Sequence, residues 1–354
     1  MWQEHCAVQA FIAELHQESH SDYQTSRDEI LRSHLLVCPP PHAASQRFQK
    51  CIDNMKALHG GEPAVSGLVP LLRDEDPRVR KLAAFSLYEF GATAREAARA
   101  LIEVLGDREA SVWASAALSK IGPCVVPQLL SAYSESSSQL KQEILHTLGQ
   151  FGESAQSAIP LVVQALDDED PSVRSAAIYT VRNFGKSAVV AVPKLSRIIA
   201  EDDPLTRLLA AVSLAQIDPK NDLPVIAIVE VLRGDNAELR PLAAEALSEL
   251  GPLAAAAVEP LLESLQSDDS FLRSEAIRAL GDIHANPEQV VPVLVKLMQD
   301  IDSEHAYEVS EALGKFTDAA DFVVPLMKAI VADNEKAELV RLKAEVVLLR
   351  FESP

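Results

Sequence analysis

Between residues 170 and 185 the apolar side chains fall where a helix would bury them. Val173, Ala176, Ala177, Val181 and Phe184 recur at helical spacing and make one stripe. Asp170 ahead of them is an N-cap acceptor, and Pro171 suits the first helical position, where no amide donor is needed. Gly185 tolerates the left-handed backbone that ends a helix. Just upstream, Pro160, Leu161, Val162 and Leu166 predict a first helix, joined to the second by the polar turn Asp167-Asp168-Glu169-Asp170. The pattern predicts a helical hairpin.

The same text returns from Asp76 to Gly91 and from Asp269 to His284. Arg174, Arg207, Arg240 and Arg273 stand 33 residues apart, Lys141 holds the place before them, and Arg80 fits once two shorter units are allowed. Four residues upstream runs a second column: Asp76, Ser137, Asp170, Asp203, Asn236, Asp269 and Asp302. Unit ends fall at Gly91, Gly122, Gly152, Gly185, Asp218, Gly251, His284 and Thr317, and Pro127, Pro160 and Pro193 mark the starts of first helices. A fixed period of this length predicts an all-α stack in which each hairpin borrows its missing core from its neighbours. Nine such units follow residue 63.

The motif Leu-x-Asp-x-Asp-Pro-x-Val-Arg-x-x-Ala-Ala-x-x-Leu-x-x-x-Gly, as in Leu72 to Gly91 and Leu166 to Gly185, resembles the HEAT repeat, in particular the short bacterial form also found in phycobilin lyases. The resemblance covers residues 63–352. It implies a right-handed α-solenoid of about nine hairpins whose second helices line the concave side. Departures are local: Trp113 and Ala306 replace the arginine, the second unit has a shorter second helix, and Ser134 to Ser138 occupy the third turn.

Residues 1–62 lie outside the period and are expected to form an irregular helical cap, with residues 63–354 as the array. Trp2, Val8, Phe11, Ile12 and Leu15 mark one amphipathic helix, Ser26 and Glu29 suggest a capping box before a second, and a third runs from about Ser45 to Leu58. His5, His16, His20, His34, His42, His59, Cys6, Cys38 and Cys51 crowd this segment. His16 and His20 lie one turn apart, and His34, Cys38 and His42 repeat that step, a spacing that a metal-binding module could use. The proline triplet Pro39-Pro40-Pro41 and the want of a Cys-x-x-Cys pair favour surface histidines, and no metal or other cofactor is expected.

Catalytic signatures are missing from the text: no phosphate loop, Gly-x-Gly-x-x-Gly, His-Glu-x-x-His or Gly-x-Ser-x-Gly occurs. Two enzyme families built on the HEAT fold fit poorly. The chain has no His-Glu dipeptide of the kind with which deoxyhypusine hydroxylases hold iron, and its acidity opposes the cationic face of the HEAT-like DNA glycosylases. Cys124, beside Val125 and Val126, is expected to be a buried thiol.

Charge narrows the partners. With 52 acidic and 32 basic residues the net charge is −20, which repels nucleic acid and anionic lipid and favours a basic segment of another protein. The amino terminus shows no basic start before an apolar run, and no stretch of apolar residues is long enough to span a membrane. A cytoplasmic monomer with free thiols is expected.

Two readings compete for the periodic residues. The columns Asp76, Arg80, Asp170, Arg174, Asp203, Arg207, Arg240, Asp269 and Arg273 are expected to form a structural ladder, each arginine meeting an acidic turn residue of an adjacent layer, because Asp and Arg come and go together. Five and eight residues past the basic column lies a row expected to face solvent on the second helices: Phe85, Tyr88, His146, Tyr179, Arg182, Glu245, Arg278 and Glu311. Aromatics there would anchor a partner and carboxylates would receive its Lys and Arg side chains. The expected function is a non-catalytic protein–protein scaffold or adaptor binding along the concave face. The alternatives are a phycobilin-lyase-like protein holding a tetrapyrrole and an N-terminal metal-binding module.

Overall fold

The computed structural model describes residues 62–299 and 305–352, together with Arg47, Lys50 and Cys51. The expected first and second amino-terminal helices, the histidines of the alternative metal-binding module, Cys6, Cys38 and Asp302 lie outside the described residues. Eighteen α-helices occur among those described, and they pair into nine hairpins.

The chain divides into two compact units, Met1–Ala158 and Ile159–Pro354. In the first, α1 (Glu62–Leu68), α3 (Ala98–Glu103) and α5 (Val126–Tyr133) are first helices, and α2 (Pro77–Phe90), α4 (Ser111–Ile121) and α6 (Ser138–Gln150) are second helices. In the second unit the first helices are α7 (Ile159–Ala165), α9 (Val192–Glu201), α11 (Leu223–Arg233), α13 (Val258–Ser264), α15 (Pro287–Gln299) and α17 (Ala320–Ala332). Its second helices are α8 (Pro171–Asn183), α10 (Pro204–Ile217), α12 (Leu239–Leu250), α14 (Ser270–Ile283), α16 (Ala306–Gly314) and α18 (Glu338–Glu352).

Second helices pack on one another in succession, α2 on α4 on α6 in the first unit and α8 through α18 in the second. The stripe that predicted α8 is its inner face: Val173, Ala176, Ala177, Val181 and Phe184 are all buried. Corresponding residues in neighbouring repeats, Leu214, Leu247, Leu280 and Leu313, are fully buried too. Burying a leucine stabilises by about 1.5–3 kcal/mol, so these shared seams outweigh any single polar contact described below.

Repeats join through short 3-10 segments that the periodicity did not announce. Gly91–Ala97, Gly152–Ala158, Gly185–Ala191 and Gly251–Ala257 all adopt this form. In three of these segments the backbone leaves helical values at Ala155, Ala188 and Ala254, so each is two short turns meeting at a kink. Ala94 and Ala97, Ala155 and Ala158, Ala188 and Ala191, and Ala254 and Ala257 are all fully buried there. Gly185 has φ 54°, as its place after α8 required, and at the equivalent point after α14 His284 takes the left-handed conformation with φ 37° and ψ 32°.

Candidate interaction surface

The acidic and basic columns meet at the turn between first and second helices. The described aspartates of the upstream column are N-caps. Asp76 accepts from Arg78 N at 3.0 Å, Asp170 from Ser172 N at 2.9 Å, and Asp269 from Phe271 N at 2.9 Å. Asp203 accepts from Leu205 N and Thr206 N, each at 3.1 Å, and from Thr206 Oγ1 at 2.5 Å. Hydrogen bonds hold two carboxyls below the usual aspartate range: from the Arg78 side chain at Asp76, and from the Thr206 hydroxyl at Asp203.

Each arginine folds back over the turn ahead of its own helix. Arg80 donates to Asp74 O at 2.7 Å, Arg207 to Ile199 O at 2.6 Å, Arg240 to Leu232 O at 3.1 Å, and Arg273 to Ser267 O at 2.7 Å. Ile199 and Leu232 lie in the last turns of first helices, where backbone acceptors run out of intrahelical donors, whereas Asp74 and Ser267 lie in the turns beyond. Three arginines also reach the next repeat: Arg80 contacts Asp107 at 2.6 Å, Arg174 contacts Asp202 at 3.3 Å, and Arg207 contacts Glu230 at 3.3 Å. The cross-repeat acids for Arg174 and Arg207 lie outside the aspartate column. The column itself is engaged in capping.

The row predicted to face solvent divides. Tyr88 requires correction: it is 6% exposed and lies inside the layer. Trp113 is the cause. Standing where other repeats carry arginine, it is itself buried, with its ring 5.8 Å from Tyr88 and edge-on to Phe85 at 4.6 Å. Lys120 Nζ sits 4.1 Å over the Tyr88 ring. Phe85 and His146 are half-buried. Cys124 also departs from expectation: it is exposed, because the 3-10 turn Pro123–Val125 directs Val125 inward and the thiol out.

In the second unit Tyr179, Glu245 and Arg278 are exposed, while Arg182 and Glu311 are partly covered. Arg278 pairs with Glu275 one turn back, and Glu311 with Arg350 of α18 at 3.8 Å. Arg182 spans three second helices, donating to Gln216 Oε1 at 3.1 Å and pairing with Glu249 at 3.2 Å. Further along, Ser248 donates to Asp282 Oδ2 at 2.5 Å and Lys315 to Asp282 Oδ1 at 2.7 Å. Gln216, Glu249, Asp282 and Lys315 stand 33 residues apart. This third column was available to sequence reading, but its chemistry changes at every step.

Sequence reasoning also missed the apolar half of this face. Leu205 and Phe271, two repeats apart at equivalent places, are 49% and 58% exposed. Leu209 and Leu242, one repeat apart, are also exposed, and Tyr307 is 72% exposed. Glu275 and Glu308 continue the column of Leu209 and Leu242, so leucines give way to carboxylates along it. Among the described residues no group of three or more His, Cys, Asp or Glu side chains is placed to hold a metal ion, and no helix is long and apolar enough to cross a membrane.

The repeat grammar has a match among known families. HEAT repeats align with residues 126–215, 192–281 and 258–348, and a single HEAT repeat with residues 64–94. The chain belongs to the HEAT-repeat family. No curated protein matches it significantly over its sequence.

Solved structures share the HEAT fold at low identity. A crystal structure of a Kap121p mutant superposes with a TM-score of 0.61 at 12% identity, covering 94% of this chain and 42% of that one. A full-length AP-3 complex gives 0.53 at 14% identity, covering 82% and 58%. The complex of CpcE and CpcF of phycocyanin lyase from Nostoc sp. PCC7120 gives 0.41 at 20% identity, covering 71% and 94%. The first two likenesses agree with the helical-hairpin solenoid described above.

Proposed function

We propose that this HEAT-repeat chain is a non-catalytic scaffold that binds another protein along the second-helix face of residues 159–354, the side that the family resemblance makes concave. The partner presents Lys- or Arg-rich sequence interspersed with bulky apolar side chains. One observation carries the reading: Leu205, Leu209, Leu242, Phe271 and Tyr307 are exposed on successive second helices, among Glu245, Glu275 and Glu308. Single exposed apolar residues are ordinary. A periodic set on helices packed in succession offers anchors, and the carboxylates select a basic partner while repelling nucleic acid.

A protein occupant suits this face better than a tetrapyrrole, whose propionates need cationic neighbours. The aromatic cluster of Tyr88 and Trp113, where a planar ligand would stack, is filled by its own side chains. The AP-3 chain of like fold works inside a multiprotein complex, and this chain is assigned the same broad role.

The test is capture of a partner by the wild-type chain and by a Leu242→Glu, Phe271→Glu variant. Val189→Glu with Val190→Glu, equally exposed in the 3-10 connection after α8, is the control. The reading expects the face variant to lose the partner, the control to keep it, and salt to weaken it. Equal capture by all three would refute it.

A further inference from the structure

The last helix, α18, has two apolar edges. Val340, Ala344 and Val347 are buried where the helix packs on α16 and α17. Leu339, Leu342, Val346 and Leu349 form the other edge and are 47%, 55%, 43% and 61% exposed. They advance by three, four and three residues, which is the a/d step of a seam between two parallel-running helices.

The charges beside that seam state what covers it. Glu338 and Glu345 each precede an a position, and Lys343 and Arg350 each follow a d position. In a parallel, in-register pair a g residue faces the e residue five places further on in the other helix. Glu338 then meets the partner's Lys343, and Glu345 meets the partner's Arg350. Antiparallel pairing would set glutamate against glutamate and cation against cation. Lys343 Nζ is buried with no hydrogen-bond acceptor among the described residues, and Arg350 has only a loose 3.8 Å contact with Glu311. Arg350 is therefore available for a stronger acid, and Lys343 gains one by turning its ammonium outward to the partner's Glu338.

We propose that α18 is a self-association surface, pairing parallel and in register with α18 of a second copy of this chain. This departs from the expected monomer and uses the last second helix of the face proposed above, beyond the anchors Leu205, Leu242, Phe271 and Tyr307. The helix is already held by α16 and α17, so pairing incurs no nucleation cost. Four apolar side chains make an interface below the standard size, so the dimer is concentration-dependent.

Sedimentation of the full chain from about 1 to about 200 µM, where small interfaces come apart, tests this. The weight-average mass rises from 38.4 kDa towards twice that value. Leu342→Glu with Val346→Glu holds the chain at 38.4 kDa while its circular dichroism and urea midpoint stay unchanged, since both side chains are exposed. Glu345→Arg alone, or Arg350→Glu alone, weakens association roughly tenfold. Mixing the two single variants restores it, because each interchain pair again joins opposite charges. A single 38.4 kDa species throughout, wild-type association by the double variant, or failure of the mixture to recover would each overturn the proposal.

Discussion

Arg174 Nη2 reaches Asp202 Oδ1 at 3.3 Å in the next repeat, while its Nη1 donates to Asp168 O at 3.1 Å and Glu169 O at 3.2 Å in its own turn. One guanidinium thus braces the turn between first and second helices and ties two repeats together. A lysine has no fork with which to do both.

Arg174→Ala should lower stability by about 2 kcal/mol, the range for charge-assisted hydrogen bonds to part-buried acceptors. Arg174→Lys should recover less than half of that. Asp202→Asn should cost under about 1 kcal/mol, because it removes a part-exposed ion pair and leaves the turn carbonyls satisfied. Urea midpoints of the three variants against the wild type check this order.

Acid should loosen the turns. The carboxyls of Asp76, Asp167 and Asp203 are held low by the Arg78 side chain, the Lys194 ammonium and the Thr206 hydroxyl respectively. A depressed carboxyl contributes stability above its unfolded value, about 3.9, and loses it as pH falls through the folded value. Thermal midpoints should therefore drop below about pH 4. Asp203→Asn, which keeps the cap, should flatten that loss.

Glu143 has the opposite sign. Burial pushes its carboxyl up, so the folded chain is penalised once pH exceeds the usual glutamate range and relieved on acidification. Glu143→Gln should raise the thermal midpoint at pH 7 and change it little at pH 4.

Backbone conformation gives a paired prediction. Gly185 has φ 54° and open space around its missing Cβ, so Gly185→Ala should cost about 1 kcal/mol from conformation alone. His284 sits in the left-handed region, so His284→Gly should stabilise by up to about 1 kcal/mol, less whatever the 2.9 Å contact of Nδ1 with Asp282 O supplies. Urea titration of both variants checks the opposite signs.

The two described thiols should react unequally. Cys51 is fully buried and its pKa is pushed up to about 12, chiefly by desolvation and then by Asp74, so it stays a protonated thiol. Cys124 is exposed. Peptide mapping after brief alkylation should find Cys124 modified and Cys51 spared until the chain unfolds.

The turns were the most legible part of the sequence. Asp170, Pro171 and Gly185 each do one local job that depends on a few neighbouring backbone atoms, so residue type alone announces it. The surface was less legible because exposure depends on the next layer. Tyr88 has the spacing of a solvent-facing residue, yet Trp113 of the following repeat covers it. Leu205 and Phe271 read as core by type, and only the packed second helices reveal them as exposed. The column Gln216, Glu249, Asp282 and Lys315 keeps its period but mixes amide, acid and ammonium, because each partner need only complement its neighbour.

Hydrogen exchange of the chain alone and with its captured partner tests the binding surface most directly. The account predicts new protection at the exposed ends of α10, α12, α14 and α16, around Leu205, Leu242, Phe271 and Tyr307, with the first helices unchanged. Protection confined to the first helices α9, α11 and α13, leaving those four sites as fast as in the free chain, would contradict it.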